Sequence, residues 1–208
     1  MSLESEVHEG ITMGETILSF LLGIGLSAAV GFRVFVPMLI VSLASMAGWI
    51  TLSPGFQWMG TPVAALVFAV ATLVELLSFL VPWVSNALDS IATPAAAIAG
   101  VLIMAAVLTD MHPVARWVLA IVAGGGVALT VQGATVVTRA VAAGSTGGAA
   151  NPIVAILEAI SALVVTVTTI VIPLIMGILV LLVVLLLLRI VIPKFRAIRA
   201  GRSADSKT

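Results

Sequence analysis

The 208 residues are 62% hydrophobic and only 9% charged, against roughly 25% charged in an average soluble domain, so they cannot clothe a water-exposed surface. The absence of cysteine excludes disulfides, thiolate catalysis and thiolate metal sites, and no basic patch interleaved with aromatics supports nucleic-acid binding. Nine basic and nine acidic residues cancel, but Glu4, Glu6, Glu9 and Glu15 crowd one end while Arg189, Lys194, Arg196, Arg199, Arg202 and Lys207 crowd the other.

This composition predicts an all-α integral membrane protein with a polar tail at 1–10, one membrane domain at 11–193 and a basic tail at 194–208. Lys and Arg resist translocation, which places the C-terminus in the cytoplasm. A basic end following a hydrophobic helix can also touch anionic lipid headgroups. The N-terminus lacks the basic region of a signal peptide, so its first apolar stretch is read as permanent structure.

A helix rises about 1.5 Å per residue through a hydrocarbon core about 30 Å thick, so each span needs roughly 20 apolar residues. Residues 11–48 exceed one span and are interrupted at Gly31-Phe32-Arg33-Val34-Phe35-Val36-Pro37, where proline removes a helical hydrogen bond. Blocks at 60–84 and 88–108 follow, separated by Pro82-Trp83-Val84-Ser85-Asn86. Thr109-Asp110-Met111-His112-Pro113 reads as a turn. An overlong block at 114–143 then meets a second breaker, Gly144 to Pro152, before spans at 152–171 and 173–193. About six transmembrane helices result, within a range of five to seven. Seven spans would put the acidic N-terminus outside the cell. Trp49, Trp58, Trp83 and Trp117 fall at the segment ends, as indoles at the membrane interface do.

The order of blocks suggests one pattern used twice, over 11–108 and 114–193, with broken helices and the second half inverted. Leu73-Val74-Glu75-Leu76-Leu77-Ser78 lines up with Ile156-Leu157-Glu158-Ala159-Ile160-Ser161. Inverted repeats recur among secondary transporters.

Ionisable side chains inside a bilayer are costly and tend to be functional. Glu75 and Glu158 lie within apolar blocks, while Arg33 and Arg139 stand beside the breakers, so the expectation is two ion pairs, Arg33 with Glu75 and Arg139 with Glu158. Such pairs either line a permeation path or only join helices. Helix breaks are expected at Gly31, Pro37, Gly147, Gly148 and Pro152. Asn151 suits an N-cap and Pro152 a first turn. With Ser145, Thr146 and Arg139 nearby, that helix start is a candidate anion site, although the same residues also suit an ordinary loop. Gln132, Thr135 and Thr138 approach Arg139 at near-helical spacing, either as a polar stripe or as residues bonded back to their own helix. Asp110 and His112 are too few for a metal site, and nothing implies a cofactor. Small-residue clusters such as Gly124-Gly125-Gly126 allow close helix packing within a subunit or between copies in a homo-oligomer.

The Gly31–Pro37 motif, Thr138-Arg139, Ser145-Thr146-Gly147-Gly148, Asn151-Pro152 and Glu158 together resemble an uncharacterised bacterial membrane family catalogued as a domain of unknown function. The likeness covers most of 20–175 and implies a small polytopic protein of the bacterial cell membrane, with no established substrate. The expectation is a small transporter or channel-like permease for an anionic solute or lipid headgroup, with Arg33, Glu75, Arg139, Ser145, Thr146, Asn151 and Glu158 at its site. The alternatives are a non-transporting scaffold or accessory subunit and an intramembrane lipid-modifying enzyme. No enzyme motif is present.

Overall fold

The computed structural model describes the backbone of residues 3–78, 82–147 and 149–205 and the side chains of 13–78, 91–147 and 149–190. Those residues are helical, without a strand. In order they form α1 (Leu3–Phe32), α2 (Phe35–Met46), a 3-10 turn (Gln57–Gly60), α3 (Pro62–Leu77) and α4 (Pro82–Val107). There follow α5 (Pro113–Leu119), a π-helical segment (Ala120–Gly125), α6 (Gly126–Thr146), α7 (Asn151–Val171) and α8 (Pro173–Asp205). Met13–Phe32, Pro113–Thr146, Asn151–Val171 and Pro173–Ile190 are long and apolar enough to cross a bilayer, and three shorter apolar helices accompany them. This is a membrane protein.

Local chemistry sets many of the boundaries. The Thr61 hydroxyl accepts from the Ala64 amide at 3.2 Å and so caps α3, with Pro62 in the first turn. His112 does the same for α5, its Nδ1 accepting from the Val114 amide ahead of Pro113. Gly147 ends α6 with φ +62°, a left-handed cap that glycine adopts without Cβ strain. The expected breaks are therefore seen at Gly31–Pro37, with only Arg33 and Val34 outside helix, and at Gly147. Gly148 lies outside the described residues.

Several expected boundaries move. Pro82 to Asn86 form the start of α4 rather than a connector, because proline is tolerated in a first turn. Pro94 also sits within α4, where apolar helix packing overrides the local preference. The block at 114–143 runs unbroken from Pro113 to Thr146, accommodating its length through the π segment. The two long blocks thus differ, the first folding at its break and the second continuing straight through.

Side-chain contacts give the helix directions. Ser27 of α1 donates to the Gly100 carbonyl of α4 at 3.1 Å, while Gly23 faces Met104 and Val107. Hence α1 and α4 are antiparallel. Gly25 faces Thr169 and Arg33 reaches Ala155, so α1 is also antiparallel to α7. Arg33, just before α2, reaches Ala155, while residues 40–49 share a groove with 167–171, so α2 runs with α7 and back against α1. α3 reverses again, joined to α2 through Ser45 beside Gly60 at one end and Glu75 beside Val34 at the other. One end of the molecule, the loop face, gathers the 47–61 loop, the end of α4 and the start of α5; Ser53 binds the Ala105 and Ala106 carbonyls there. Phe56 packs on Trp117 with ring centroids 6.1 Å apart. The opposite tail face carries the α6–α7 turn and the end of α8.

α1 is the central helix, packed by α4, α6, α7 and α8. Its Ile24, Leu26, Ala28 and Val30 are buried. A close backbone approach lies between α4 and the π segment, where a Cβ on Gly100 would fall 2.7 Å from the Gly124 carbonyl oxygen and 2.5 Å from the Ala128 Cβ. Lacking a side chain, each glycine lets the helices meet backbone to backbone. Among the described residues α3 contacts α2 and the 3-10 turn but scarcely α4.

Candidate functional site

The α1–α2 break puts Arg33 at the tip of a helical hairpin, facing the N-terminal third of α7. Its Nη2 donates to the Ala155 carbonyl at 3.0 Å and lies 3.1 Å from Glu158 Oε2. Arg139, one helix away on α6, grips the same carboxylate in bidentate fashion. Its Nε donates to both Glu158 oxygens, at 2.8 and 3.1 Å, and its Nη2 donates to Oε2. One carboxylate is thus held by two guanidiniums, and both Arg33 and Glu158 are buried. Paired and hydrogen-bonded in this way, buried charges become tolerable.

The expected Arg139–Glu158 pair is present. Arg33, expected to pair with Glu75, forms a salt bridge with Glu158. Glu75 takes a different role, its two oxygens accepting from the Val34 and Phe35 amides at 3.0 and 3.1 Å. α2 has no side-chain cap of its own, and a carboxylate borrowed from α3 satisfies the exposed donors at its N-terminus and complements its dipole. The hairpin tip is therefore fixed from both sides by glutamates on different helices.

Beside this cluster lies a cavity of about 680 Å³, within the ordinary range of small-molecule sites. Arg33, Glu75, Gln132 and Arg139 line its polar end, and apolar side chains of α3 and α4 such as Val70, Val74 and Ile91 form the rest. Glu158 is set behind the wall, so the lining side chains comprise two guanidiniums and one carboxylate. Gln132 was singled out in sequence only as part of a stripe. It is buried, and its Nε2 has no hydrogen-bond partner among the described residues. The signal was available, because Gln132 precedes Arg139 by two helical turns and shares its face. Thr135 and Thr138 bond back to their own helix, to the Gln132 and Ala134 carbonyls.

The second breaker does not join this cavity. The Ser145 and Thr146 hydroxyls donate to carbonyls of α6, and Thr146 Oγ1 also accepts from the Ala150 amide. Asn151 is the first residue of α7 rather than its N-cap, a place held by Ala150 without a side-chain bond, and Pro152 occupies the first turn as expected. Thr146 thus caps the Ala150 amide, and Ser145, Thr146 and Asn151 are not among the residues that line the cavity. Asp110 accepts from the Thr109 hydroxyl on the loop face, and no metal-binding group of His, Asp or Glu occurs among the described residues.

Residues 20–192 match the family model described as a domain of unknown function (DUF4126). No curated protein matches, and no solved structure matches.

Proposed function

The chain belongs to this family of unknown function, and from that premise we propose that it is a small transporter or channel-like permease for an anionic solute or lipid headgroup. The observation that supports this reading is the polar end of the cavity. Arg33, Arg139, Gln132 and Glu75 converge there at a helix break, with Glu158 behind them. Irregular backbone at membrane depth persists where protein buries it or it lines a cavity. Discontinuous helices meeting charged side chains are a recurrent way to hold substrate in transporters.

In this reading the chain lies in the inner membrane of a bacterial cell with its basic C-terminus in the cytoplasm. α1 and α2 enter from and return to the outer, loop face, while α3, α4, α5–α6, α7 and α8 cross. The acidic N-terminus then lies outside. The internal repeat would join α2–α3–α4 to α6–α7–α8, which run in opposite senses, leaving α1 as an added central helix.

A liposome flux screen over small inorganic anions, protons and labelled lipids tests the function. Arg139→Gln should abolish flux while the protein still purifies as a folded species; a variant that transports normally removes the site from consideration. The mutual saturation of Arg139 and Glu158 favours a second reading, a scaffold in which the cluster only joins helices. That reading expects the swapped pair, Arg139→Glu with Glu158→Arg, to restore full stability and function.

A further inference from the structure

We propose that the cavity is a lipid site, in which an acyl chain of a singly anionic phospholipid lies between α3 and α4 while its phosphate meets Arg139, Gln132 and Arg33. The proposal rests on the reading that the cavity accepts an anion and names the class of anion.

Four observations converge on a bilayer lipid rather than a soluble ion. First, among the described residues α3 scarcely touches α4, and Leu66, Val67, Val70 and Val74, which line the gap, are all more than half exposed in the protein alone. Residues so apolar at this depth meet hydrocarbon, so the gap opens sideways to the bilayer. A hydrated ion entering there would leave its water among valines. Second, the shape is amphiphilic. The nine steps from Leu66 to Glu75 cover about 14 Å at roughly 1.5 Å per residue, apolar until the charged end.

Third, the direction is that of a lipid. The charged end faces the level of Ala155 and Glu158, near the tail-face end of α7, and the apolar part runs toward the loop face. A lipid of the tail-face leaflet lies the same way, its head a turn or two of helix below the surface. Fourth, the Arg33 and Arg139 guanidiniums line the wall with Glu158 set behind them, and Gln132 Nε2, on a residue 3% exposed, offers a donor with no partner among the described residues. A glycerol head beyond the phosphate brings no cation beside the guanidiniums, whereas a choline head does.

The test is native mass spectrometry of the whole protein released from nanodiscs of equal dioleoyl phosphatidylglycerol and dioleoyl phosphatidylcholine. The wild type should retain one phosphatidylglycerol in preference to phosphatidylcholine by about tenfold, as charge-assisted contacts to the phosphate imply. Val70→Trp, which fills the gap from a lipid-facing position, should abolish retention, and Gln132→Leu should weaken it severalfold. Equal retention of both lipids by the wild type, or undiminished retention by Val70→Trp, overturns the proposal. Retention is read without any transport step. A protein that holds phosphatidylglycerol yet moves no anion supports this site and sinks the transport reading, while anion flux without lipid preference does the reverse.

Discussion

Glu158 is the residue on which the charged cluster turns, because it is the carboxylate shared by Arg33 and Arg139. Neutralising it as Glu158→Gln would leave the buried Arg33 and the partly buried Arg139 guanidiniums facing each other, and removing one partner of a buried pair costs about 3–5 kcal/mol. Thermal unfolding in detergent should show that loss. Arg139→Gln should cost less, since Arg33 continues to face Glu158 and the Arg139 side chain is partly accessible. Glu75 acts through backbone, so Glu75→Ala should destabilise by about 1–2 kcal/mol, the usual worth of an N-cap, and Glu75→Gln by less because an amide oxygen still accepts. The ionisable residues were legible in the sequence from their rarity in apolar blocks. The Arg139–Glu158 pair was legible too, but the contact of Arg33 with the same carboxylate was not, because it depends on where α7 lies relative to the hairpin tip.

At the scale of elements, glycine position decides how closely helices pack. Gly124 leaves only 2.6 Å between an added Cβ and the Gly100 carbonyl oxygen, while Gly126 has open space around it. Gly124→Val should therefore overpack the α4 contact and lower stability by about 1–3 kcal/mol. Gly126→Ala, two residues on, should be neutral or stabilising through helix propensity, by up to about 1 kcal/mol. Comparing the two melting temperatures separates packing from local preference. The glycine run was visible in sequence as a place for close approach. The π segment was not, since its wider turn leaves no compositional trace.

For the whole molecule, the fold-back of α2 fixes which ends share a face. Without native cysteine, single replacements report orientation cleanly. Gln57→Cys on the loop face should react with a membrane-impermeant maleimide in intact cells, and Thr146→Cys on the tail face only after permeabilisation. The reverse labelling pattern would invert the proposed topology, and labelling of both in intact cells would break it.

The sequence by itself determined membrane residence, helical class, the apolar blocks and the two breakers, because hydrocarbon admits few charges and only long apolar helices, and because proline and left-handed glycine act on their immediate neighbours. Tertiary structure decided what each break does. One break became a folded hairpin tip held by Glu75, and the other a turn in which Thr146 Oγ1 accepts from the Ala150 amide. The same local grammar ends a helix in either case; which ends meet a cavity follows from how the apolar faces find each other, and that is a property of all the helices together.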